Sequence, residues 1–272
     1  MIFKSFFDGS KQADSRVYDV LSLASVSGTS DQWRYFESDW REMLRSNDAK
    51  WLHTTDVAAL VKDPFTSRNG WTVTRADSFL NDCVRVAEKH VVIPNVKPGL
   101  IPYVFTVVLA DLDRAAKDHP SVVPNDANEF CAVQSVFRVM QQGAHLGADF
   151  FHFVFDQNEP FRGYVIDRRD SKKAKRAIGP VYERIVSNTQ CDMRDSPGLQ
   201  LADLFGWCIS NKKQKNRRKW HNRVLRYRKW IDDWNGYDRI MQSNPATKKS
   251  FSRGIFRKGS PQFADRFVFL QG

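Results

Sequence analysis

The stretch Asp195-Ser196-Pro197-Gly198-Leu199-Gln200-Leu201-Ala202-Asp203-Leu204-Phe205 carries the signals that decide the fold. Ser196 is a good helix N-cap, because its hydroxyl accepts from an amide one turn on. Pro197 suits the first helical position, where a missing N–H costs nothing. From there Leu201, Leu204, Phe205 and Cys208 recur at helical spacing and form an apolar stripe. Gln200 and Asp203, three apart, share another face. An Asp beside an apolar stripe is costly to bury unless a metal ion, a basic side chain or water pairs with it. The question for the rest of the chain is which other carboxylates arrive at the same place.

Working outward, Phe150 to Phe155 reads as a strand ending at Asp156, followed by the polar loop Gln157-Asn158-Glu159-Pro160. Ser171 to Ser187 reads as a helix and Thr189 to Arg194 as a short strand. At the start of the chain, Ile2 to Phe7 and Val17 to Val26 read as an antiparallel hairpin. Asp8 closes its first strand and Gly9-Ser10 signals a turn. Asp31 to Arg45 is helical, with Trp33, Phe36, Trp40, Met43 and Leu44 on one side. Trp51 to Val57 is a short element of either type. Arg75 to His90 and Asn125 to Gln142 are helices, and Tyr103 to Leu109 is the clearest central strand. This alternation predicts an α/β domain with mixed strand directions. Asp8 and Asp156 are then expected side by side at strand ends, where such folds place their sites.

The chain has 272 residues, 42% hydrophobic and 13% aromatic, enough for one large domain with a substantial core. No run of about 18 apolar residues occurs, so no membrane-spanning helix is expected. The N-terminal run turns acidic too soon for a signal peptide, which places the chain in the cytoplasm as an expectation. Cys83, Cys131, Cys191 and Cys208 are scattered without CxxC spacing and read as reduced, mostly buried thiols. Net charge is +11, a balance that favours polyanionic partners. Walker A, GxGxxG and GxSxG patterns are lacking, which disfavours nucleotide hydrolases, dinucleotide enzymes and α/β-hydrolases.

Carboxylates gathered at one place repel, and the gathering persists only with a cation or with raised pKa values. If Asp8, Asp156 and Asp203 meet, their hard oxygens suit Mg²⁺ or Mn²⁺. Two such ions can activate a water and stabilise a leaving oxygen in phosphodiester cleavage. Singly, each Asp is a weak signal, since an Asp after a strand is more often a turn or cap residue.

Phe7-Asp8-Gly9-Ser10, His53-Thr54-Thr55-Asp56, Phe155-Asp156 and Ser196 to Asp203 together resemble the family catalogued as "domain of unknown function 3800". Its members resemble the ribonuclease-H-like superfamily, whose nucleases hold two metals on acids from the first strand, a later strand and a late helix. The resemblance spans roughly residues 1–210, and Gln200-Leu201-Ala202-Asp203 is its most specific part. It implies a ribonuclease-H-like mixed sheet flanked by helices, with Asp8, Asp156 and Asp203 as catalytic and metal-binding acids and RNA or DNA as substrate. The family often has Asp-Glu-Ser-Gly where this chain has Asp8-Gly9-Ser10, so one possible ligand is missing; Glu159 or Asp56 stands as a substitute.

His53 reads either as a general acid or base, or as a hydrogen-bonded residue beside Trp51. Glu159 reads as an outer acid or a solvated loop residue. Gln200 reads as a ligand-orienting side chain or a partner for backbone groups. The other five histidines have no ligand spacing.

Residues 211–272 form a basic, aromatic-rich extension. Lys212, Lys213, Lys215, Arg217, Arg218, Lys219, Arg223 and Arg226 lie in a run without acids, with Trp220, Tyr227, Trp230 and Trp234 interleaved. The cations suit phosphates and the rings suit stacked bases; the other reading is an amphipathic helix with its tryptophans packed on the domain, Trp220 and Trp230 among them. Phe267 to Leu270 reads as a closing strand. The leading expectation is a metal-dependent nuclease. The alternative is a catalytically eroded nucleic-acid-binding or scaffold module, including one in a defence or mobile-element system with a protein partner.

Overall fold

A computed structural model describes residues 1–14, 18–92, 98–118, 126–170, 183–211, 218–225 and 231–234. The chain builds β1 (Ile2–Asp14), β2 (Tyr18–Thr29), α1 (Ser30–Ser46), α2 (Thr54–Ala59), α3 (Val73–His90), β3 (Ile101–Val108) and α4 (Leu109–Asp118). It continues with α5 (Ala127–His145), β4 (Phe150–Asp156), α6 (Phe161–Asp170), β5 (Ile185–Cys191), α7 (Pro197–Ser210), α8 (Lys219–Val224) and β6 (Ile231–Trp234).

The strands form one mixed sheet in the order β5-β4-β1-β2-β3-β6. β1, β2 and β3 are antiparallel neighbours; β4 runs parallel to β1, β5 parallel to β4, and β6 parallel to β3. Side chains alternate between the sheet faces. Phe6, Ala24, Val26, Val104 and Val154 therefore enter one core with α1, α3, α7 and α8. Phe7, Leu23, Phe105, Phe153 and Phe155 enter a second core with α4, α5 and α6. The result is an α/β domain with helices on both faces of the sheet.

Helices α1, α3, α5 and α7 begin where the sequence supplies side-chain caps. Thr29 and Gln32 form a reciprocal capping box at α1, whose buried Trp33, Phe36, Trp40, Met43 and Leu44 are the expected stripe. Ser196 accepts from the Leu199 amide and Pro197 opens α7, as read from the sequence. Gly198 has a packing reason: a Cβ there would lie 2.4 Å from the Phe6 ring, so only glycine lets α7 approach β1 this closely.

Several expectations change. Gly9-Ser10 is strand, not turn, and Asp8 lies inside β1, because the ladder with β2 continues to the Asp14–Tyr18 pair and supplies partners for that backbone. What ends beside Asp8 is the parallel ladder with β4. Residues 171–182 of the expected Ser171 to Ser187 helix lie outside the described residues, and β5 occupies its last positions from Ile185; of the expected Thr189 to Arg194 strand, Thr189–Cys191 is strand and Met193–Asp195 is a 3₁₀ turn. β5 is an edge strand that buries only Ile185, with Ser187 and Asn188 half-buried and Thr189 and Gln190 exposed, so no apolar alternation reveals it. Helices α4 and α6 were not foreseen. α4 buries only Leu112 and two alanines, a weak periodic signal.

The division at residue 210 does not separate two cores. Trp220 and Val224 of α8 are buried in the same core as α3 and α7, and β6 extends the sheet. The packed Trp220 was expected. Trp230 and the Phe267 to Leu270 strand lie outside the described residues. Among the described residues no helix is long and apolar enough to cross a membrane, and all four cysteines are free.

Candidate functional site

Asp8 and Asp156 are brought together by the parallel β1–β4 register. Its last pair is Phe7 with Phe155, and the two acids follow one residue later. Adjacent strands lie about 4.8 Å apart, so two residues in register on one face are neighbours. Asp8 shares parity with Phe6 and Asp156 with Val154, both in the core beneath α7. Both acids therefore face α7, which crosses from Phe6, under Gly198, toward β2, where the Ser210 hydroxyl bonds the Ser22 hydroxyl at 3.2 Å. Asp203 lies on that helix between these two contacts. Asp8, Asp156 and Asp203 are each at least 94% buried.

Their electrostatics report the convergence. The Asp8 carboxyl is held well above the usual carboxylate range, first by burial and then by the negative charges of Asp203, Glu159 and Asp156. No hydrogen bond or ion pair from the described residues reaches it. Burial also raises Asp203, while His53 and the bond from Thr54 pull the other way. Asp156 spends one oxygen on its own turn: Oδ1 accepts from the Asn158 amide at 2.7 Å and from the Asn158 side chain at 3.0 Å.

The segment Leu52–Thr54 is laid across α7 by two amides. Leu52 N–H donates to Gln200 Oε1 at 3.0 Å, and Thr54 N–H donates to Asp203 Oδ2 at 2.6 Å. Gln200 also accepts from Trp40 Nε1 at 2.8 Å and donates to the Met193 and Arg194 carbonyls. It is thus the tie between α1, this segment and the turn before α7, the structural one of its two readings. His53 is held by Asp56, 2.7 Å from Nδ1, and Asp56 also meets Lys62 at 3.6 Å. The imidazole is one-third exposed and sits beside the acids, near enough for its charge to act on Asp203.

Glu159 is placed by the turn after β4. Its carboxyl is pushed up to about 7 by burial and by Asp156. Its Oε2 lies 2.9 Å from where a Cβ on Gly9 would stand, and the Phe161 ring lies 2.3 Å from the same point. Gly9 alternates to the face opposite Asp8, so Glu159 approaches β1 from the α6 side. A larger residue at position 9 cannot enter without displacing Phe161.

The structure thus brings together Asp8, Asp156, Asp203, Glu159 and His53. The four carboxylates among them supply the oxygens that hard divalent cations require. The carboxylates do not close to a cage: among the described residues no group of three or more His, Cys, Asp or Glu is spaced to hold a metal ion.

The basic run fares differently. Arg218 pairs with Asp77 and Arg223 with Glu88, so these two cations fasten α8 to α3. Lys219 is exposed. Lys212, Lys213, Lys215, Arg217 and Arg226 lie outside the described residues. A different basic surface, along α1, was not foreseen. Its signal was present in Arg34, Arg41 and Arg45, spaced by seven and four on the helix flank beside the apolar stripe.

Compared with known protein families the chain matches no family model, and no curated protein matches it.

Proposed function

We propose that the chain is a divalent-metal-dependent nuclease of ribonuclease-H-like type, related to the "domain of unknown function 3800" family. The observation that carries this reading is the burial of Asp8 from β1, Asp156 from β4 and Asp203 from α7 on one sheet face, with no described cation on Asp8. The order β5-β4-β1-β2-β3, with β1–β2–β3 antiparallel and β4 and β5 parallel to β1, is compatible with a ribonuclease-H-like arrangement.

Asp8, Asp203 and the free Oδ2 of Asp156 are the oxygens that would hold Mg²⁺ or Mn²⁺. Bound there, the ion would supply positive charge for phosphoryl oxygens and lower the pKa of an attacking water. The Thr54 amide and the Asp156 turn orient one oxygen of each carboxylate they touch, and the acids would have to draw closer together to hold an ion. Glu159, at the missing fourth acid's end of β1, holds or releases a proton near neutrality. His53, oriented through Nδ1 by Asp56, presents Nε2 for proton transfer at the same edge.

The second reading, an eroded binding module, is favoured by Gly9 and by the open spacing of the carboxylates. A panel of single- and double-stranded RNA and DNA, assayed with Mg²⁺ and Mn²⁺, separates the two. Asp8→Asn, Asp156→Asn and Asp203→Asn should each lower cleavage by at least about 100-fold while the far-ultraviolet circular dichroism stays unchanged. Cleavage that survived in all three variants, or that never appeared with wild-type protein, would reject the nuclease.

A further inference from the structure

Between α1 and the turn leading into α7 runs an open groove of about 1030 Å³. Lys4, Arg34, Arg41, Arg45, Lys50 and Arg194 line it, against one acid, Glu37. Three of the six cations already have a carboxylate: Arg34 meets Asp31, Arg41 meets Glu37 and Arg194 meets Asp192. These are exposed pairs, each worth about 0–1 kcal/mol, and readily exchanged for another anion. Lys4, Arg45 and Lys50 have no acidic partner among the described residues, and Lys4 lies over the Phe6 ring. The groove's inner wall is Gln200, three residues before Asp203, or about 4.5 Å along the helix axis. Lys50 stands on the lip, two residues before the segment that crosses α7 to reach Asp203.

We propose that this groove receives the phosphodiester backbone of a nucleic-acid strand and leads it to the carboxylates. The inference rests on the nuclease reading for what happens at the far end, but binding in the groove stands independently of turnover. The geometry fits an extended polyanion. Arg34, Arg41 and Arg45 follow one another along a single helix face, the two intervals being about 10.5 and 6 Å. A strand of phosphates carries charge densely enough to engage several of them at once, and each cation it engages releases counterions.

The test is binding of fluorescein-labelled single-stranded RNA and DNA to the full chain in EDTA, where turnover does not intervene. The combined variant Arg41→Glu, Arg45→Glu, Lys50→Glu changes exposed side chains only. It should weaken binding by about 10-fold or more at low salt and reduce the slope of log K against log salt by about 2, three contacts at about 0.7 each. A charge-matched control, Arg68→Glu, Arg85→Glu, Lys89→Glu, removes exposed cations outside the groove and away from the carboxylates, and should change binding far less. Wild-type affinity in the groove variant, or equal losses in both triples, would overturn the proposal, as would loss of phosphatidylserine-vesicle binding with oligonucleotide binding intact. Groove-dependent binding without cleavage would remove the nuclease and keep the groove. Cleavage lost in Asp203→Asn, with binding indifferent to the groove, would do the reverse.

Discussion

At the scale of the residue, Asp8 sets the behaviour of the site. A carboxyl whose native pKa lies above its unfolded value, about 3.9, keeps its proton longer in the folded state. The native form then binds more protons than the unfolded one above that pH, so stability falls as pH rises. Glu159 acts in the same direction up to about pH 7. Metal-free protein should therefore melt at a higher temperature at pH 5 than at pH 8, and Asp8→Asn should flatten the difference. Each pH unit of displacement on a buried carboxyl corresponds to about 1.4 kcal/mol. Thermal melts in EDTA across that range check the sign; a wild-type protein more stable at pH 8 would contradict it. Asp8, Asp156 and Asp203 were all legible in the sequence because each follows or punctuates an apolar run. The role of Gln200 was not: its type allowed both readings, and only the arrival of Trp40 and Leu52 from distant elements makes it a tie.

At the scale of the element, the decisive contact is α7 against β1. Asp203 can face Asp8 only because residue 198 has no side chain. Gly198→Ala puts a carbon 2.4 Å from the Phe6 ring and must push the helix outward. We expect a loss of about 1–3 kcal/mol in urea unfolding, typical of overpacking, and a larger fall in cleavage than in stability. Phe6→Leu combined with Gly198→Ala should recover part of the stability, a coupling that a double-mutant cycle measures. Elements with strong periodic patterns, such as α1, α3, α5, β3 and β4, were readable at nearly their observed bounds. β5 was misplaced because a solvent-facing edge strand has no apolar alternation. β1 ran past its Gly9-Ser10 turn signal because a partner strand outweighs a local preference. Such long-range pairing leaves no mark in a local window of sequence.

For the whole molecule, the three acids come from parts of the chain about 150 and 50 residues apart, and the β1–β4 register together with the packing of α7 on β1 makes them neighbours. The C-terminal extension takes part in that assembly. Trp220 is buried beside α3 and α7 and donates to Asp77 at 3.2 Å. Trp220→Ala should cost about 3–5 kcal/mol, and a chain ended at residue 210 should melt roughly 10 °C lower, both measurable by calorimetry. An unchanged melting temperature would make 1–210 a self-sufficient domain. The central claim is that Asp8, Asp156 and Asp203 together hold a divalent cation. Anomalous diffraction from crystals soaked in Mn²⁺ tests it most directly. The expected result is a manganese peak bonded to oxygens of Asp8, Asp156 and Asp203, lost in Asp8→Asn. Manganese bound elsewhere, with these three carboxylates bare at saturating concentration, would contradict it.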